Sequence, residues 1–160
     1  RYAGGAATVA VLKTFMVIES DCNIRAGTSS SYGLMQIRPE TANQFKSRCG
    51  VTDNITAAWL TNPANADKSI CIGAAFINSI AAGRCGSTPG GIYAGYNAGP
   101  GNCSDSVTCD GQQSCSGGPM KMWECPYDKT RNGDLICNTG FYQTKQGATY
   151  VNYCMNNLGF

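Results

Sequence analysis

The chain has 160 residues, a net charge of +2, charged residues at only 14%, ten cysteines and no histidine. That length fits one domain with a core of its own. The weak charge, with no Lys/Arg stripe, argues against a nucleic-acid partner, and the missing histidine excludes Ser-His and Cys-His nucleophilic pairs.

The opening Arg1-Tyr2-Ala3-Gly4-Gly5 lacks the basic, apolar and small-residue layout of a secretion signal, so the chain reads as a mature form or a domain cut from something longer. Thr8 is placed to cap a helix through Val9, Leu12, Phe15, Met16, Val17 and Ile18, apolar around most of its circumference and therefore expected to be buried. The run is about half of the ~20 residues a membrane span needs, and Lys13 interrupts it, so no membrane insertion is expected. Glu19 follows Phe15 and Met16 by four and three residues, on their face. Its carboxyl should look into the interior or a cleft.

Residues Arg25 to Tyr32 are rich in Gly, Ser and Thr and read as a loop. Pro39-Glu40-Thr41 starts a helix running to about Lys46, with proline at or near its first position. Pro63 and Asp67 introduce another, with Ile70, Ala74, Ile77 and Ala81 on one face and Gly83 and Gly86 ending it. A short helix from Gly91 to Ala98 stops at Gly99-Pro100, and a last one spans about Gln146 to Leu158. Between them, residues 101–145 change character: little helical period, many Gly and Ser, and Asn132-Gly133 between Met122-Trp123-Glu124 and Leu135-Ile136 as a hairpin signal.

The cysteines are Cys22, Cys49, Cys71, Cys85, Cys103, Cys109, Cys115, Cys125, Cys137 and Cys154. They form no tight Cys-x-x-Cys pairs and have no histidine beside them, so disulfides are expected rather than zinc, and with them an oxidising, extracytoplasmic setting: periplasm, cell exterior or virion surface. No metal or other cofactor is implied. Five of the ten lie in residues 101–145, so full pairing requires at least one bond from that insertion to the rest of the chain. The connectivity itself is open.

Cleaving a glycosidic bond needs an acid able to protonate the leaving oxygen near neutral pH, and an apolar setting raises a carboxyl toward that range. Glu19 has such a setting, although a glutamate at a helix end ordinarily points at solvent. Glu19-Ser20, Gly33-Leu34-Met35-Gln36-Ile37 and Ala94-Gly95-Tyr96-Asn97-Ala98-Gly99-Pro100-Gly101 follow one another in this chain. In that order and spacing they resemble the soluble lytic transglycosylase catalytic domains, a family with goose-type lysozyme-like folds. The likeness covers about residues 8–101 and returns near Thr149-Tyr150-Val151.

The resemblance implies a mainly α (α+β lysozyme-like) fold: a helical bundle around a substrate cleft, here with a small disulfide-rich β-hairpin insertion. It implies peptidoglycan glycan strands as the partner, within a larger chain or a secretion or virion assembly, and cleavage of the MurNAc-GlcNAc β-1,4 bond to leave a 1,6-anhydroMurNAc end. Glu19 resembles the sole catalytic acid/base. Ser20 resembles the serine holding the carboxyl or a substrate group, with a helix-end hydroxyl satisfying backbone as the competing reading. Gln36 resembles the glutamine that binds the sugar acetamido group; Met35 beside it is grouped with the binding residues, with packing as the stronger reading. Tyr96 and Asn97 resemble residues flanking the cleft, and Tyr150 a final cleft tyrosine.

The chain departs from the family at Gln146-Gly147, where a Glu-Thr pair is usual, at Ser69, where asparagine is common, and in the cysteine-rich insertion. Most glycoside hydrolases need a second carboxylate. Asp21 points away from Glu19 on a helix, and Asp53 and Asp67 fall in uncertain places. A hydrolytic lysozyme of the same fold, using a water held by Asp53 or Asp67, and a catalytically silent wall-binding domain remain as alternatives.

Overall fold

The structure, a computed structural model, describes residues 2–104 and the backbone of residues 127–129 and 135–137. These residues are mainly helical, in the order α1 (Val9–Ser20), α2 (Pro39–Phe45), α3 (Ala57–Leu60), α4 (Ala66–Ala81) and α5 (Pro89–Ala98). Strands β1 (Tyr127–Lys129) and β2 (Leu135–Cys137) follow. This is the helical class that a lysozyme-like fold implies. The helix expected over 146–158, Tyr150, and Cys109, Cys115, Cys125 and Cys154 lie outside the described residues. The chain divides within α4, between Ser79 and Ile80, into two compact units.

In the first unit, Thr8 caps α1 as its sequence suggests, its hydroxyl accepting from the Val11 N–H at 3.2 Å. Val11, Leu12 and Phe15 turn into the core. The opposite side is not buried: Val9 is 56% and Val17 43% exposed, with exposed Lys13 between them. These three recur every four residues, so an all-apolar stretch still carries a solvent stripe. Asp21 ends the helix in the left-handed region (φ 50°), its N–H on Val17 O and the Cys22 N–H on Met16 O. That pairing satisfies two carbonyls the last turn would leave orphaned.

Pro39 opens α2 at its first position, and a 3-10 turn over Lys46–Cys49 continues it. Asn43 on α2 grips the extended backbone at Ile55 with both ends of its amide, accepting from the Ile55 N–H at 3.1 Å and donating to its carbonyl at 2.8 Å. The clamp places α3, a helix too short to show any sequence period. Thr56 caps it by accepting from the Trp59 N–H.

Ala74 and Ile77 of the expected α4 face are buried, whereas Ala81 is only half-buried. Ser69, Ile72 and Ile77 are fully buried, whereas Ile70 is half-buried. The face turned inward is broader than expected, and at Gly73 Met35 lies directly on the helix backbone. Cys49 and Cys71 form a disulfide that ties the end of the 3-10 turn to α4.

In the second unit, Thr88 caps α5 at the Gly91 N–H, and Pro89 takes the first helical position. The helix thus starts two residues before the expected Gly91. Ile92, Tyr93 and Ala94 are buried. Gly95 is obligatory for space: a Cβ there would strike the Cys85 sulfur and Ile80 Cγ2. Cys85 bonds to Cys103, a link from the insertion to the body of the kind the odd count of five requires. All four of these cysteines are thereby consumed. Cys22, counted among the bridges from the sequence, is an exposed thiol with no disulfide among the described residues.

The two strands pair antiparallel, Tyr127 opposite Cys137 and Lys129 opposite Leu135. The hairpin exists, and its register is centred on position 132, within the Asn-Gly pair. Its first strand, Tyr127–Lys129, lies nearer the Asn-Gly pair than the expected Met122-Trp123-Glu124, which falls outside the described residues.

Candidate active site

Glu19 occupies the last turn of α1. Its Oε1 is buried and has no hydrogen-bond partner among the described residues. An oxygen taken from water without a partner disfavours the charged form, and burial pushes the Glu19 carboxyl up to about 7. At neutral pH the group is therefore divided between acid and carboxylate, able to give a proton and to take one back.

Ser20, the next residue, does not bond the carboxylate. Its hydroxyl donates to the Leu34 carbonyl at 2.8 Å, with the Met16 carbonyl at 3.1 Å as the alternative acceptor. The helix-end reading thus holds, with an addition: one acceptor belongs to the loop bearing Gln36. Ser20 fastens the end of α1 to that loop.

The loop is a closed turn. Tyr32 and Ile37 exchange backbone bonds at 3.2 Å in both directions, and the Gly33 N–H donates to Ala26 O at 2.8 Å. Gly33 is left-handed (φ 77°), and a Cβ there would collide with the carbonyl oxygen of Leu60. No other residue fits. Gln36 is also left-handed (φ 44°), an uncommon conformation for a side chain of its size. Two bonds to the Gly33 carbonyl hold it, from its own N–H at 3.1 Å and from its Nε2 at 3.0 Å. With Nε2 committed, the amide offers its oxygen, an acceptor suited to an acetamido N–H.

Met35 needs correcting as a binding residue. It is fully buried, and its side chain packs against Gly73 of α4. A side chain with no exposed surface supports the loop from beneath and cannot touch a glycan. Glu19, Ser20, Met35 and Gln36 thus belong to one junction in the first unit. Tyr96, half-buried, and Asn97, exposed, lie in the last turn of α5 in the second unit. The turn after α5 is closed by Asn102, whose Nδ2 donates to Ala98 O at 2.6 Å.

Both carboxylates named as water-holders are engaged by aromatic side chains: Asp67 accepts from the Tyr2 hydroxyl at 2.7 Å and Asp53 from the Trp59 indole at 3.3 Å. Asp21 caps α1. The Asp53–Trp59 pair was invisible in sequence, since only the fold of residues 53–59 brings the two together. Among the described residues no helix is long and apolar enough to cross a membrane.

Compared with known proteins, residues 5–115 match the family model of the transglycosylase SLT domain, more than half of the chain. No curated protein matches it.

Proposed function

The chain belongs to the transglycosylase SLT domain family, a peptidoglycan-acting family of lytic transglycosylase type, and from that premise we propose that it cleaves the MurNAc-GlcNAc β-1,4 bond with Glu19 as its only acid/base. The observation that carries the reading is the buried, unpartnered Glu19 Oε1 with its carboxyl raised to about 7. Protonated Glu19 gives its proton to the glycosidic oxygen, and the bond to the muramic C1 breaks as the GlcNAc hydroxyl leaves. The developing positive charge at C1 is met by the oxygen of the sugar's own acetamido group. Glu19, now a carboxylate, takes the proton from the C6 hydroxyl, whose oxygen closes on C1. The enzyme returns to its starting state, the product ends in 1,6-anhydroMurNAc, and no water is consumed.

This route needs no second carboxylate. Gln36 holds the acetamido N–H through its amide oxygen, at a height set by the Ser20–Leu34 bond. The family likeness assigns glycan contacts to Tyr96, Asn97 and Tyr150 as well. Such a reaction belongs outside the cytoplasm, where the glycan lies and where disulfides such as Cys49–Cys71 persist. The test is lysis of purified sacculi. The unmodified protein clears them and Glu19→Gln does not; equal clearing by both contradicts the assignment, and clearing by neither supports the wall-binding alternative.

A further inference from the structure

Trp59 is pinned from several sides and yet not buried. Its backbone N–H is held by Thr56 Oγ1 at 3.2 Å and its carbonyl by Asn65 Nδ2 at 3.1 Å. Its indole N–H donates to Asp53 Oδ2 at 3.3 Å. Asp53 is itself fixed, because Lys46 Nζ donates to its backbone carbonyl at 2.7 Å and to that of Thr52 at 3.4 Å. The indole nevertheless stays partly in solvent. A large aromatic side chain held rigidly at a wet surface loses little conformational entropy on binding a ligand, which is why such groups anchor recognition sites.

Its place matters as much as its rigidity. The residue after Trp59 is Leu60, whose carbonyl oxygen presses on Gly33 so closely that a Cβ is excluded. Successive Cα atoms are about 3.8 Å apart. The backbone of Trp59 therefore stands next to the start of the turn that carries Gln36. Asp53 adds the second requirement. Its Oδ2 is occupied by the indole, whereas among the described residues no donor engages Oδ1. A pyranose ring presents an apolar face of C–H groups and a rim of hydroxyl donors. An indole beside a carboxylate oxygen matches both.

We propose that Trp59 and Asp53 form a further glycan subsite that takes an N-acetylhexosamine unit of the strand, its ring against the indole and a hydroxyl on Asp53 Oδ1. The inference rests on the glycan-cleaving reading above. It assigns the pair to binding and no part of the chemistry to either residue.

The test measures binding in the Glu19→Gln chain, using a soluble N-acetylglucosamine oligomer and co-sedimentation with purified sacculi. Adding Trp59→Ala is expected to weaken both about tenfold, or ~1.4 kcal/mol, with Trp59→Phe falling between. Unchanged affinity in a folded Trp59→Ala chain overturns the subsite. If that variant does not fold, Trp123→Phe decides. It leaves Trp59 as the sole indole of the two in the chain, so a saturable fluorescence change on adding the oligomer supports the subsite and a flat titration overturns it. The two readings fail separately: clearing of sacculi by Glu19→Gln sinks the catalytic assignment, whereas normal oligomer binding without Trp59 sinks only the subsite.

Discussion

Replacing Glu19 with glutamine should make the protein more stable, and by an amount that depends on pH. In the unfolded chain the carboxyl titrates near 4.5, and in the native protein burial pushes it up to about 7. Between those values the native state holds a proton that the unfolded state has lost, so stability falls as pH rises through this window. The favourable contribution is complete below 4.5 and gone above 7, where the fold carries a buried charge whose Oε1 has no partner among the described residues. A shift of about 2.5 units at 1.36 kcal/mol each corresponds to roughly 3.4 kcal/mol. Residual solvent at the half-buried side chain trims this to about 2–3 kcal/mol. Glutamine keeps the shape and cannot ionise. Urea unfolding of the two proteins at pH 4, 6 and 8 should therefore show near-equal midpoints at pH 4 and a gap in favour of Glu19→Gln that widens to about 2–3 kcal/mol by pH 8. A gap that is the same at every pH, or absent at pH 8, would show that Glu19 is solvated and refute the acid/base argument at its root.

The first step needs the protonated acid, so kcat/KM on soluble glycan should fall as pH rises through about 7; a flat profile between pH 6 and 8 would contradict a Glu19 raised that far. Gly33→Ala should cost about 2 kcal/mol or more in denaturant unfolding, since alanine must enter the left-handed region and displace the Leu60 carbonyl. A loss below about 0.5 kcal/mol would mean that the turn is built otherwise. Reduction should lower the melting temperature, because Cys49–Cys71 and Cys85–Cys103 close spans of 22 and 18 residues, each worth about 3 kcal/mol in chain entropy. An unchanged melt with all thiols reduced would remove the bridges from the account.

Helix starts were the most legible part of the fold, because their signals are local. Thr8 and Pro39 act within one turn of their own position, and both sit where the sequence places them. The order Glu19, Gln36, Tyr96-Asn97 carried the family, whose model matches residues 5–115. What escaped depends on partners distant in sequence. Met35 lies on Gly73 of α4, 38 positions on, and no period within the helix records that contact. The hydroxyl of Ser20 reads the same whether it meets a carboxylate or a carbonyl, until the loop at Leu34 is in place. Four residues cannot display a helical repeat, so α3 and the Trp59–Asp53 pair within its approach stayed hidden. Cysteine pairing is likewise a matter of distance in space: an even count foretold bridges but not that Cys49 would meet Cys71 and Cys85 would meet Cys103.

The most direct test is the identity of the new glycan end. Sacculi digested in water enriched in heavy oxygen, then analysed by mass spectrometry, should yield muropeptides one water lighter than reducing-end products and free of the label. Reducing ends that carry the heavy oxygen would show that water attacks C1, and the single-carboxylate mechanism would be wrong.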